Sequence, residues 1–132
     1  MIEKINSLFR YGQKLQSSLR EFKKNNFRSP EWKRVREEFL DENPFCAACH
    51  SHKHLQVHHV RPFHIFPELE LDPNNLITLC MDEDDCHLMI GHGGNFSCFN
   101  PYVREDAEKY KRATSKSEQM EIIAESRVKR MV

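Results

Sequence analysis

Val57-His58-His59-Val60-Arg61-Pro62 decides how this chain is read. Two adjacent histidines sit in a short run of strand-forming residues that a proline brings to a stop. Upstream lies Cys46-Ala47-Ala48-Cys49. Downstream come Asn74-Asn75-Leu76-Ile77-Thr78-Leu79-Cys80, then Cys86-His87, then Gly91-His92-Gly93-Gly94. Four of the five cysteines and all eight histidines fall between Cys46 and His92. Thiols and imidazoles at that density point to metal ligation.

Adjacent residues of a strand face opposite sides. His58 and His59 are therefore expected to do different jobs, one binding a metal and the other activating water. Histidine titrates near neutrality without help, which suits a base for water. Leu55–Val60 reads as one strand and residues 75–80 as a second. A long connection with two prolines, residues 63–74, joins them. Cys86 to Ile90 reads as a short helix ended by Gly91.

Helices are expected on either side. Residues 2–26 carry Ile5, Leu8, Leu15, Leu19 and Phe22 on one heptad stripe. That stripe would pack on the domain or pair with a second copy. Lys23, Lys24 and Arg28 follow it as a basic patch. Ser29-Pro30-Glu31 is a helix start, with Trp32, Val35, Phe39 and Leu40 as its apolar face. Lys33, Arg34 and Arg36 on the same helix either touch a phosphate backbone or form a solvated face. Asn100-Pro101 opens a helix from about Tyr102 to Ala113. Ser115 to Glu118 has capping-box form, and Met120, Ile123, Ala124, Val128 and Met131 are expected to line one face of the last helix.

The chain has 132 residues, enough for one small domain. Its mean hydropathy is −0.72, with no apolar run of the roughly 20 residues a membrane span needs. The first residues have neither the apolar stretch nor the cleavage site of a signal peptide. A cytoplasmic protein is expected, in which cysteines stay reduced and serve as ligands. Net charge is zero, but unevenly spread. Residues 1–40 hold ten Lys and Arg against five acids, residues 41–100 two against nine, and residues 101–132 eight against six. Basic flanks around an acidic, histidine-rich centre leave phosphate binding to the flanks and cation capture to the middle.

Cys46, Cys49, Cys80 and Cys86 form the first constellation. A C-x-x-C turn offers two thiolates to one cation, and a second pair completes a tetrahedral four-sulfur zinc site. Such a site is structural and stabilises a domain with little core. The second pair is widely spaced, with Asp82 to Asp85 filling the loop. A redox C-x-x-C lacks its usual strand–helix context here and leaves the distant pair unexplained. Cys98 is expected to be a packed thiol. His58, His59, Asn75 and His87 form the second constellation, with His92 as an optional member. Asn75 can donate and accept at once, which suits it to fix the loop that bears His59 and to orient the His59 ring.

Taken together and in this order, these motifs resemble the HNH (His-Asn-His) endonucleases, over roughly residues 29–100. The resemblance implies an α+β fold: a small ββα-metal (His-Me finger) core stapled by zinc and flanked by N- and C-terminal helices. It divides the chain into a helical extension at 1–28, a nuclease core at 29–100 and C-terminal helices at 101–132. It implies hydrolysis of DNA phosphodiester bonds, leaving a 5′-phosphate and a 3′-hydroxyl. His59 would be the general base, His58 and His87 metal ligands, and Asn75 the middle residue of the motif. A ligand one α-helical turn after His87 falls at Gly91, so His92 would reach the metal only if the helix unwinds. The catalytic cation is left among Mg2+, Mn2+, Ni2+ and Zn2+, and imidazole ligands lean away from magnesium.

Double-stranded DNA is the expected partner, with a homodimer through the N-terminal helix and a larger phage or mobile-element DNA-processing complex as further options. The rival reading is a non-catalytic zinc module that binds DNA or protein. Of the other histidines, His50 is a competing zinc ligand, His52 and His54 are surface residues, and His64, beside Phe63 and Phe66, is expected to pack, with a substrate-facing role as the alternative. Arg61 is a candidate phosphate contact.

Overall fold

Leu55–His59 (β1) and Leu76–Cys80 (β2) pair antiparallel in this computed structural model, Leu55 opposite Cys80 and His59 opposite Leu76. The structure describes residues 2–25 and 28–132, apart from the side chains of Leu8 and residues 15–25. Every residue of β2 is buried; four are apolar, and the hydroxyl of the fifth, Thr78, donates to the Asn43 carbonyl at 2.9 Å. Asn75, expected in this strand, instead closes a turn of 3-10 helix, Pro73–Asn75. A similar turn, Pro67–Leu69, lies earlier in the connection. Both turns begin on a proline, whose fixed φ and missing N–H suit a first helical position.

Helix α1 (Ile2–Asn25) precedes α2 (Trp32–Glu42). Ile5 of the heptad stripe is 58% exposed, and Ile2 and Phe9 are exposed as well. That end of the helix is not packed on the domain; Leu8, Leu15, Leu19, Phe22, Lys23 and Lys24 lie outside the described side chains. Helix α2 starts two residues later than a Ser29 cap would place it. Ser29 Oγ accepts from the Glu31 N–H at 3.2 Å, forming a turn ahead of the helix. The expected apolar face of α2 is only half-buried.

The C-terminal helices are α3 (Val103–Arg112) and α4 (Lys116–Lys129). Ser115 Oγ accepts from the Glu118 N–H at 3.1 Å. Glu118 returns its bond to the Thr114 N–H at 2.9 Å, one residue earlier than a capping box would place it. The expected face of α4 needs correction. Met120, Ala124, Val128 and Met131 are exposed, and Ile122, Ile123 and Ser126 are buried. The cause is Asp106 of α3. It is wholly buried, and α4 turns toward it the side that carries Ser126 and Lys129.

The core is Leu76, Leu79, Ile90 and Val103, all fully buried, with Ile77, Ala107 and Tyr110 around them. It joins the sheet to α3 and to the turn after Cys86. Among the described residues, no helix is long and apolar enough to cross a membrane.

Candidate metal centre and cleft

The four thiols of Cys46, Cys49, Cys80 and Cys86 lie within 4.8 Å of one another. The backbone brings them together. Cys46 accepts from the His50 N–H at 3.0 Å and donates to Ser51 at 2.8 Å, while Ala47 N–H donates to Thr78 on β2 at 2.9 Å. His50 takes the left-handed conformation, φ 63°, that closes this turn. Cys46, Cys80 and Cys86 are buried. A tetrahedral zinc–thiolate site has sulfurs roughly 3.8 Å apart, and Cys49 and Cys80 are already at 3.4 Å.

The electrostatics fit the same group. A hydrogen bond from Cys86 pulls the Cys46 thiol down to about 5. Burial pushes Cys49 up to about 12, and bonding to Cys46 pushes Cys86 up further. Four crowded sulfurs cannot all ionise unless a cation stands among them.

On the other side of the Cys86–His87 peptide bond, a second cluster begins. Residues His87–Gly91 form one turn of π-helix, closed by the His92 N–H donating to the His87 carbonyl at 3.1 Å. A π-turn aligns residues five apart. It therefore places His92 beside His87, where an α-helix would have placed Gly91. The His87 and His92 Nε2 atoms face each other at 3.2 Å. His58 reaches them from β1, with ring centroids 5.0 Å from His87 and 4.8 Å from His92. The three histidines offer nitrogens within 4.8 Å of one another.

This cluster has the donor set of a cation site. His58 Nε2 and His87 Nδ1 are buried and have no hydrogen-bond partner among the described residues, a costly state for an imidazole nitrogen. His92 Nδ1 faces the Cys98 carbonyl at 2.7 Å. A carbonyl can only accept, so Nδ1 is assigned the proton and Nε2 the lone pair. Burial lowers the pKa of all three, to about 4 for His87. Neutral imidazole is the form that ligates.

His59 points away from this cluster, as strand alternation demands. Its Nε2 lies 2.9 Å from the Glu70 carbonyl, which again assigns the proton to Nε2 and leaves Nδ1 with the lone pair. Its ring packs at 4.5 Å against Trp32. Glu70 also accepts the Ser29 N–H at 2.9 Å, so the residue that holds His59 tethers the approach to α2 as well. Asn75 does not touch His59, which corrects the expectation that it orients the ring; the Glu70 carbonyl does so instead. Asn75 Oδ1 accepts from Arg61 N–H at 2.9 Å, and its Nδ2 donates to the carbonyls of Arg61 and Leu69. It clamps the chain just after His59 and just before Glu70.

Among the described residues β1 pairs with β2 alone, and a cleft beside it is lined by residues of both its faces. This cleft, about 430 Å³, is lined by His58 and His59 together with Trp32, His87, His92 and Phe96. Arg28 and Arg36 line it too, and Arg28 lies over the rings of Trp32 and Phe63 at 5.2 and 5.1 Å. Sequence reasoning placed Arg28 in a basic patch but not here; an aromatic pair able to hold a guanidinium has no fixed spacing. Phe96 was missed altogether.

The remaining histidines lie outside both clusters. His50 stacks on Phe45 at 4.4 Å, His52 is exposed, and exposed His54 lies 3.4 Å from Asp82. His64 is exposed and lines the cleft, which corrects the expectation that it packs. Arg61 lies over Phe66 at 5.2 Å, and Cys98 is a buried thiol outside the four-sulfur cluster.

No curated protein and no solved structure matches the chain. Residues 46–93 match the model of a family described as HNH endonuclease. That segment contains the four clustered cysteines and His58, His59, Asn75, His87 and His92, and over it the chain is similar to the HNH endonucleases.

Proposed function

We propose that this protein is a metal-dependent endonuclease that hydrolyses phosphodiester bonds of DNA. One observation carries the reading. On a single strand, neighbouring histidines are divided between a cluster with unpartnered nitrogens and a ring held singly by a carbonyl. Hydrolysis needs those two functions side by side.

His59 is the general base. With Nε2–H given to Glu70, Nδ1 takes a proton from water as that water attacks phosphorus. The 3′ oxygen leaves, giving a 5′-phosphate and a 3′-hydroxyl. Asn75 holds the loop on both sides of His59 and Glu70 in register. Arg28 meets the phosphate, its guanidinium presented on the Trp32 and Phe63 rings. His58, His87 and His92 would hold a divalent cation, which when bound would supply positive charge to the transition state and the leaving oxygen. Cys46, Cys49, Cys80 and Cys86 hold structural zinc.

Supercoiled plasmid tests the reading. The wild type, given Mg2+, Mn2+, Ni2+ or Zn2+, is expected to nick or cut it. His59→Ala is expected to lose about 10²- to 10⁴-fold in rate while still binding DNA. Wild-type protein that binds plasmid yet cuts it with none of these ions would refute the assignment.

A further inference from the structure

The π-turn that carries His87 and His92 is gripped from outside the family-matched segment. Asn100 is completely buried. Its Nδ2 donates to the Ile90 carbonyl at 3.1 Å, and its N–H donates to the Gly91 carbonyl at 3.0 Å. These are the last two residues of the turn. The same Nδ2 donates to Asp106 Oδ2 at 2.7 Å. Asp106 is itself fully buried and receives Ser126 Oγ at 3.0 Å and Lys129 Nζ at 2.6 Å from α4.

A buried carboxylate with this many donors is fixed in place. It fixes in turn the orientation of the Asn100 amide, since a carboxylate accepts and only the NH₂ end can face it. The NH₂ group then has one hydrogen left, and it goes to Ile90. A π-turn is an uncommon arrangement. In an α-helical turn, the residue beside His87 would be Gly91, and the His92 nitrogen would leave the cluster.

We infer that Asn100, oriented by Asp106, is a positioning residue that holds residues 87–91 as a π-turn and so keeps His92 beside His87. The inference rests on the reading of His58, His87 and His92 as cation ligands only for its functional consequence; the brace itself is independent of any ion. It also makes α3 and α4 part of the machinery of residues 46–93.

Amide hydrogen exchange on the intact chain tests the brace. In Asn100→Ala the His92 amide, which closes the π-turn, is expected to exchange at least about tenfold faster, while the amides of Thr78 and Leu79 in β2 keep their wild-type rates. Affinity for Ni2+, measured by calorimetry, is expected to fall about 10- to 100-fold, the usual effect of losing a group that orients a ligand. The exchanged pair Asn100→Asp with Asp106→Asn provides a second variant if the first fails to fold. It keeps the contact between positions 100 and 106 but offers no donor to Ile90. Melting temperature should return toward wild type while His92 stays unprotected.

An unchanged His92 amide in both variants overturns the inference. So does acceleration of His92 and β2 in parallel, the mark of a purely structural role, and so does recovery of His92 protection in the exchanged pair. Wild-type protein that binds no Ni2+ would defeat the cation reading instead, and His92 exchange would still judge the brace.

Discussion

The ring of Trp32 lies 4.5 Å from that of His59, tilted by 32°. The indole arrives from α2 and shields the imidazole that the Glu70 carbonyl holds from the other end. Burial lowers the His59 pKa, Arg28 lowers it a little more, and the bond to Glu70 works in the opposite direction. The neutral ring, the form a base needs, therefore persists below the ordinary histidine value of 6.5. Cleavage is expected to stay flat through neutrality and to fall only at pH values under 6.5. The His59 ring proton followed by NMR against pH checks this directly, and a midpoint at or above 6.5 contradicts it. The linkage has the same sign. The unfolded chain takes up the proton first on acidification, so the stability this residue contributes is present above 6.5 and lost as pH falls through its folded value.

Arg28 lines the cleft without a carboxylate partner among the described residues. Arg28→Gln is expected to remove one phosphate contact. The slope of log affinity for DNA against log salt concentration should become shallower by about one. The acidic limb of His59 should also move upward, because a nearby positive charge is gone. Arg28→Lys keeps the charge but loses the planar stacking, and should recover the salt slope better than the rate. Filter binding at several salt concentrations decides the first point.

Cys86→Ser removes one sulfur from the four-thiol cluster. The variant is expected to hold less than one zinc per chain and to unfold cooperatively at a much lower temperature, or not to fold. Structural zinc contributes on the order of 10 kcal/mol in small domains. Atomic absorption and circular dichroism measure the two effects. A variant with full zinc content and an unchanged melting temperature would remove the cluster from the account of stability.

Gly91 tests how tightly the histidine cluster is packed. A methyl group there would stand 3.1 Å from Leu79 Cδ1 and 3.2 Å from two atoms of the His58 ring. Gly91→Ala is expected to push the ring by a few tenths of an ångström and to cost about 1–3 kcal/mol of stability. Cation affinity should fall further than the loss of stability explains. Calorimetric titration with Ni2+ beside a thermal melt separates the two, and an unchanged affinity would mean that His58 is not held at that distance.

The sequence made some of this legible and concealed the rest, for physical reasons. The opposed directions of His58 and His59 follow from strand alternation alone, and the C-x-x-C turn announces its own geometry. The meeting of His87 and His92 did not follow, because the ordinary helical period selects Gly91. Only the π-turn makes a spacing of five productive, and that turn depends on Asn100, distant in sequence. The buried face of α4 was misjudged because periodicity counts apolar residues. Here a buried aspartate selects the side with Ser126 and Lys129, leaving Met120, Ala124 and Val128 to solvent. His64 was misjudged by its aromatic neighbours. It sits on the open side of the connection, where they do not cover it.

Cys86 and His87 are consecutive, yet they belong to different clusters. A single peptide bond thus couples the two: whatever moves Cys86 out of its place among the thiols also shifts the start of the π-turn and the ring of His87 beside His58. On the proposed assignment, stripping the staple would disturb the working centre as well as the fold, although the two would hold different ions.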